Sequence, residues 1–268
     1  MKLKAALIQM EVVEGKDKNL QTAEKMLRGA AKEGARLLVL PEMFNVPYDN
    51  SRFPEYAEEY PGKTTEFLKD MATELNAYIA GGSIPEQSED SIYNTSYIFS
   101  PAGELIGKHR KAHLFDIDVE GGITFKESDV LSQGNESTIF DIDGVKMGLI
   151  ICYDIRFPEF TRKLALQGVQ AVLVPAAFNM VTGPAHWHLL ARARALDNQV
   201  YMLLCSQSRN QESSYTAYGH SLMADPWGDI DSELDTEEGI LFVTIDTDKI
   251  EKVRNELPLL KHRREELY

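Results

Sequence analysis

The alternation of short apolar runs with helix-length amphipathic segments predicts a mixed α/β fold. No Pro/Gly/Ser-rich linker, low-complexity tract or repeat divides the 268 residues, so one layered domain over 1–268 is the economical arrangement. Composition agrees: with 43% hydrophobic and 26% charged residues, the chain is ordinary globular material, long enough to bury a large core.

In chain order, Leu3 to Gln9 reads as a strand. Asn19 to Ala35 reads as a helix, because Leu20, Ala23, Leu27, Ala30 and Ala31 recur at helical spacing. Leu37 to Leu40 is a short apolar strand stopped by Pro41, and Thr64 to Leu75 repeats the helical spacing before a strand at Tyr78 to Ala80. Gly81 to Gly122 reads as a hairpin-rich excursion. There the strand-like Ile92 to Phe99 and the weaker Glu104 to Lys111 alternate with Pro85, Pro101-Ala102-Gly103 and Gly121-Gly122. Val145 to Ile151 fits a buried strand, and the charges after it, with Pro158, fit a turn entering a helix near Arg156. Ala171 to Val174, Val200 to Leu204 and Ile240 to Ile245 complete the strands, and the Ala-, Leu- and Arg-rich Ala185 to Leu196 supplies another helix.

Charge and cysteine count exclude several classes. Lys and Arg total 28 against 42 Asp and Glu, and a net charge of −14 repels nucleic acid and anionic membrane over most of the surface. The two cysteines, Cys152 and Cys205, have no Cys-x-x-Cys spacing, which argues against a disulfide scaffold and a thiolate zinc site. The N-terminal residues run straight into a strand, with neither a signal-peptide core nor a membrane span. A cytoplasmic protein is expected. His186 and His188 stand two apart at a helix start, so they point to different faces, and packing or capping roles suit both better than a metal. Cys205, Trp187 and Trp227 read as structural, and no cofactor or metal is expected.

Three reactive residues fall at strand ends. Cys152 follows Val145 to Ile151 directly, and on that segment alone a buried core thiol and a nucleophile are equally good readings. Glu42 follows Pro41 at the end of Leu37 to Leu40, where a single glutamate is more often a surface residue. Lys111 closes the basic run Lys108-His109-Arg110-Lys111 beside a mixed aromatic and charged loop, Ala112 to Asp116, that predicts partial burial and a need for an anionic partner. Together the three form a workable set: a carboxylate base for the thiol, and an ammonium for the thiolate and the oxyanion formed when it attacks a carbonyl. Backbone N–H groups just after Cys152 would add an oxyanion donor. A Cys–His pair using His113 or His220 is chemically sound and has no local signature here.

The residues also carry a resemblance. Pro41-Glu42-Met43-Phe44-Asn45, Lys111-Ala112-His113-Leu114-Phe115-Asp116, Cys152-Tyr153-Asp154-Ile155-Arg156-Phe157-Pro158-Glu159 and Phe178-Asn179-Met180-Val181-Thr182-Gly183-Pro184-Ala185-His186-Trp187 form one ordered series. It continues through Asp197 to Tyr201, Tyr218 to Ser221 and Asp225 to Gly228. In that series the chain resembles the nitrilase superfamily of carbon–nitrogen hydrolases, and within it the omega-amidase group. The resemblance implies a four-layer αββα sandwich, assembled as a homodimer or higher homo-oligomer. It implies Cys152 as nucleophile, Glu42 as general base, Lys111 as oxyanion stabiliser and Glu127 in a positioning or proton-transfer role. Glu127 taken alone would read as solvated, and Val119-Glu120 stands where such families often carry a proline before Gly121-Gly122.

Arg156, four residues beyond Cys152, is suited to a bidentate carboxylate, and a structural ion pair with Asp154 or Glu159 is an equal alternative from the residues alone. The resemblance favours substrate binding, with Tyr48, Tyr153, Phe178 and Thr182 as further pocket residues. The implied substrate is a small amide, a dicarboxylate monoamide such as 2-oxoglutaramate or 2-oxosuccinamate. Deaminated-glutathione amidase and N-carbamoyl amine amidohydrolase are the neighbouring activities, and a non-catalytic interaction protein on the same fold is the alternative outside enzymes.

Overall fold

Two β-sheets lie face to face with helices over the outer face of each, in a computed structural model that describes residues 1–267. The first half of the chain supplies β1 (Lys2–Gln9), α1 (Lys16–Lys32), β2 (Leu37–Val39), α2 (Phe53–Tyr56), α3 (Lys63–Leu75), β3 (Tyr78–Ala80), β4 (Ile84–Ser88), β5 (Ser91–Phe99) and β6 (Leu105–Arg110). A small hairpin of β7 (Asp116–Asp118) and β8 (Thr124–Lys126) follows. The second half supplies β9 (Thr138–Ile142), β10 (Val145–Leu149), α4 (Pro158–Leu166), β11 (Ala171–Ala176), α5 (Gly183–Asn198), β12 (Tyr201–Ser206), β13 (Leu222–Ala224), β14 (Ile230–Glu233), β15 (Gly239–Asp246) and α6 (Thr247–Glu256).

The first sheet has the order β15-β1-β2-β3-β5-β4, with β6 paired to β5; the second has the order β14-β13-β12-β11-β10-β9. At their centres β1, β2 and β3 run parallel, as do β10, β11 and β12. Alternation decides which side chain goes where. Ala5, Leu7, Leu37 and Val39 from one sheet meet Met147, Leu149, Leu173 and Leu203 from the other in the central core. The intervening Ala6, Ile8 and Leu38 face α1 and α3, while Val172, Val174 and Met202 face α4 and α5. The result is the four-layer αββα sandwich. Emptying a central position such as Leu173, which is fully buried, would cost about 2–5 kcal/mol.

Strand ends shift from the sequence expectation where backbone bonds are diverted. β10 stops at Leu149; Ile150 still donates to the Leu173 carbonyl at 3.1 Å, and Ile151 then turns to Asp154. α1 begins at Lys16, directly after Gly15 with φ 104°, and ends at Lys32, where Gly34 with φ 79° turns the chain, so both ends fall earlier than the apolar spacing indicates. Cys205 is the core thiol expected, its Sγ lying 3.4 and 3.3 Å from the Ile8 and Val39 carbonyl oxygens across the sandwich. Trp187 is fully buried, whereas Trp227 is 49% exposed and holds no place in the core, which corrects its reading as structural.

Candidate active site

Cys152, Glu42 and Lys111 converge although they come from three separated strand ends. Cys152 opens a short 3-10 turn, Cys152–Arg156, right after the second sheet's β10. Its φ of 45° is unusual for a side-chain-bearing residue and costs about 1–2 kcal/mol. Asp154 holds the turn in place. Its Oδ2 accepts from Ile151 N–H at 3.0 Å and meets His109 Nε2 at 3.2 Å, while Oδ1 accepts from His113 N–H at 2.9 Å and meets His113 Nδ1 at 2.7 Å. Burial alone would raise this carboxyl, yet His109, His113 and the Ile151 amide hold it far below the usual range.

The basic run is divided by strand alternation. Lys108 and Arg110 both bind Glu86, with Arg110 Nε at 2.8 Å. Burial pushes Glu86 up, but Arg110, Lys108 and Thr95 together hold it down to about 2. His109 and Lys111 point inward. Lys111, expected to be partly buried, is fully enclosed, with Nζ 2.9 Å from Glu42 Oε1, 3.0 Å from Glu127 Oε1 and 2.9 Å from Glu127 Oε2. Burial opposes its charge, and Glu127 and Glu42 more than reverse this, so the ammonium persists.

Glu42 is also fully buried, against the common fate of a single glutamate. The turn that carries it is fixed by its neighbours: Met43, at φ 51°, donates its N–H to Ser83 Oγ at 3.0 Å, and Gln207 Nε2 donates to the Glu42 carbonyl at 2.8 Å. Oε1 accepts from Lys111 and from Asn94 Nδ2 at 2.8 Å, while Oε2 is buried with no nitrogen donor among the described residues and the Cys152 thiol lies within hydrogen-bond reach of the carboxyl. Burial raises the Glu42 carboxyl, Lys111 lowers it and Glu127 raises it again, for a net rise. Burial and then the Glu42 charge push the Cys152 thiol well up, and Lys111 and the backbone at Ala177 offset only part. Burial and the Glu42 charge both favour the neutral thiol over a preformed thiolate beside Glu42.

Glu127, which alone reads as solvated, is fully buried. Besides Lys111 it accepts from Tyr48 OH at 2.6 Å and from Phe115 N–H at 2.7 Å. The substitution of Val119-Glu120 for a proline leaves the Glu127 loop intact: Gly122 N–H closes on the Val119 carbonyl at 2.8 Å. Tyr48 therefore bridges the two glutamates, and its ring stacks on Tyr215 at 4.5 Å. Burial, then Glu127 and Glu42, raise its phenol far up, so it stays a neutral donor.

Arg156 has no acidic partner among the described residues. Asp154 is taken by histidines, and Glu159 is not bonded to it. The guanidinium lies over Phe178 at 4.8 Å and Tyr153 at 5.4 Å, with Nη1 3.1 Å from His186 Nδ1 and Nε buried without an acceptor. Desolvation lowers its pKa, as expected of a cation lacking an anion. Thr182 sits nearby with its N–H and hydroxyl turned to Asn179 Oδ1, at 2.8 and 3.2 Å.

His186 and His188 do point to different faces. His186 supports Arg156 rather than capping, and His188 meets Glu233, an acidic neighbour brought from 45 residues away that sequence spacing could not show. His113 stacks on Phe157 at 3.7 Å and bonds Asp154, and His220 bonds Glu233, so neither histidine proposed for a Cys–His pair is turned to Cys152. Asn94, Tyr215, Gln207 and Asp154 were missed as site residues. The available signal was a polar side chain inside an apolar strand, as with Asn94 between Ile92 and Ile98 on β5. Cys152 is only 4% exposed, and surface clefts such as those lined by Tyr93, Arg110 and Gly134 or by Arg162 and Leu166 do not include it.

Comparison with known proteins agrees with this geometry. The family described as Carbon-nitrogen hydrolase matches residues 4–255. The protein named Omega-amidase NIT2 of Mus musculus is 49% identical over 263 residues, covering 98% of this chain and 95% of that protein. Its counterpart in Homo sapiens is 46% identical with the same coverage. The crystal structure of Saccharomyces cerevisiae Nit3, a member of branch 10 of the nitrilase superfamily, superposes with a TM-score of 0.90 at 45% identity, covering 98% of this chain and 97% of that one. Fold, family profile and near-half identity along the whole length lead to one assignment: the chain belongs to the carbon–nitrogen hydrolase family and is a hydrolase of amide carbon–nitrogen bonds.

Proposed function

We propose that the enzyme removes the terminal amide of a short dicarboxylate monoamide, 2-oxoglutaramate or 2-oxosuccinamate, as ammonia. The observation that carries the reading is Arg156, a half-buried guanidinium over two aromatic rings with an unpaired Nε and no carboxylate partner among the described residues. A cation so desolvated calls for an anion, and the carboxylate at the far end of such a substrate supplies it. The names of the NIT2 relatives support the same substrate class.

In the proposed mechanism Cys152 attacks the amide carbon as its proton passes to Glu42, whose Oε2 has no nitrogen donor among the described residues. Lys111 and the Tyr153 N–H, at the start of the 3-10 turn, stabilise the oxyanion. Glu42 returns the proton to the leaving nitrogen, ammonia departs, and a thioester remains on Cys152. Water, losing its proton to Glu42, adds to the thioester; collapse releases the 2-oxo dicarboxylate and restores the thiol. Glu127 and Tyr48 keep Lys111 and Glu42 positioned, Phe178 and Tyr153 flank the carboxylate-binding guanidinium, and Thr182 shapes the loop beside them. The need for a free thiol fits a reducing, cytoplasmic setting. We further infer a homodimer, supported by Leu189 at 64% exposure and Leu196 at 38% on α5; light scattering on the purified chain reads it, and a monomer refutes it.

Ammonia release is measured from 2-oxoglutaramate, deaminated glutathione, an N-carbamoyl amine and a neutral amide, with Cys152→Ala as control. Turnover of 2-oxoglutaramate that disappears in the control is expected, and its absence defeats the proposal. Arg156→Ala should lower kcat/KM for 2-oxoglutaramate by about 10- to 150-fold, the worth of a charged hydrogen bond. Equal losses on the neutral amide would make Arg156 structural.

A further inference from the structure

We propose that His188, His220 and Glu233 form a surface site for a divalent transition ion of zinc type, separate from the Cys152 cluster. The three come from different elements: His188 from α5, His220 from the loop before β13 and Glu233 from the end of β14. His188 Nε2 and His220 Nδ1 each lie 2.8 Å from Glu233 Oε1, and the three ligand atoms fall within 4.8 Å of one another. Zinc bonds of about 2.1 Å in tetrahedral geometry place ligand atoms about 3.4 Å apart, so each histidine nitrogen moves back from Oε1 by about half an ångström and the two imidazole nitrogens, within 4.8 Å of each other, swing to close on the ion. A neutral imidazole can carry its proton on the other ring nitrogen, leaving both facing nitrogens with lone pairs for the metal.

Two imidazoles and one carboxylate suit zinc, nickel or copper over magnesium or calcium, which favour all-oxygen shells. The side chains remain 34%, 21% and 31% exposed, so remaining positions open to water. The support behind the histidines is built in. Trp187 Nε1 donates to the His220 carbonyl at 2.7 Å, the His220 ring packs on Tyr218 at 4.5 Å, and Tyr218 N–H bonds the Phe178 carbonyl at 2.6 Å. A bound ion would therefore tie α5, the 218–220 loop and β14 together directly behind Phe178, the ring under Arg156.

The test titrates zinc into the intact protein, with magnesium in parallel, by calorimetry and thermal melting. Cys152→Ala protein is titrated alongside, so that binding by the active-site thiol is told apart from binding at the histidines. One zinc per chain is expected in both, with a melting rise of at least about 2 °C at saturation and none with magnesium. His188→Gln and His220→Asn should each weaken that binding at least 10-fold; Asn is chosen for the left-handed φ of 58° at this position. Circular dichroism, metal-free melting and light scattering show whether each variant keeps its fold and assembly. Zinc binding that survives both substitutions in folded protein, or that vanishes in Cys152→Ala alone, overturns the proposal. So does a failure of the wild-type protein to bind zinc.

Discussion

Gly82→Ala tests whether the placement of Glu42 depends on one glycine far from it in sequence. Gly82 has φ 54°, and a Cβ built there would lie 2.0 Å from the Pro41 carbonyl oxygen and 2.9 Å from the Leu40 carbonyl. Normal carbon–oxygen contact needs about 1 Å more than the shorter of these, and only backbone can yield it. The group displaced is the carbonyl joined to Glu42. The left-handed backbone costs alanine about 1 kcal/mol and the overlap about 1–3 kcal/mol more, so a total loss of roughly 2–4 kcal/mol is expected. A base moved by about 1 Å loses on the order of 100-fold in rate. Gly121→Ala is the matched control, since it also has positive φ, at 69°, but nothing within 4 Å of a built Cβ. Urea unfolding and kcat on 2-oxoglutaramate are measured for both. If Gly82→Ala behaves like Gly121→Ala in both assays, the Pro41 carbonyl does not register the position of Glu42 and the reasoning fails.

Other outcomes follow from the electrostatics. Because burial and Glu42 raise the Cys152 thiol, the wild type should show no more thiolate absorbance near 240 nm at pH 7 than Cys152→Ala; a clear excess would mean a preformed thiolate. Glu127→Gln removes a charge that raises Glu42, so the acidic limb of kcat/KM should move to lower pH as the maximum falls; a limb that stays put would confine Glu127 to a structural part. Asp154 has a folded pKa below its unfolded value, so its contribution is present above the unfolded pKa and is lost as pH falls through the folded one. Asp154→Asn should therefore destabilise at pH 7 by about 2–4 kcal/mol and flatten the acid side of the melting profile, and parallel wild-type and variant profiles would rule this out.

How much could be read in advance depended on which residues carry the information. β1, β2, β3, β5 and β11 were legible as strand-like runs, and Cys152, Glu42 and Lys111 because each stands at the end of such a run. The strands β9 and β14 were not, since both mix in Asp or Glu on their open faces, and β13 is only the three residues Leu222-Met223-Ala224 between polar Ser221 and Asp225. α6 escaped for a similar reason: Thr247, Ile250 and Val253 are its buried residues, too sparse to mark a helix. The supporting polar residues were illegible for a different cause. Asp154 serves a histidine 45 residues earlier and Gln207 a carbonyl 165 residues away, and no local pattern encodes a partner at that distance.

The buried charges decide how the proposed reaction has to begin. Glu42, Glu127 and Lys111 already place two carboxylates and one ammonium in a closed space, with Tyr48 neutral between them. A thiolate formed at rest would add a second uncompensated negative charge beside Glu42, which the raised Cys152 pKa expresses. Proton transfer to Glu42 instead leaves the count of charges unchanged, and the new negative charge appears on sulfur only as it is passed into the amide carbonyl. The oxyanion then stands by Lys111, whose ammonium both glutamates have kept protonated. Neither His113 nor His220 is placed to take that proton, since they are bonded to Asp154 and Glu233. In the proposed cycle the Glu127 charge serves Lys111 most directly, because it is the largest charge holding the ammonium protonated while Glu42 gains and loses its proton.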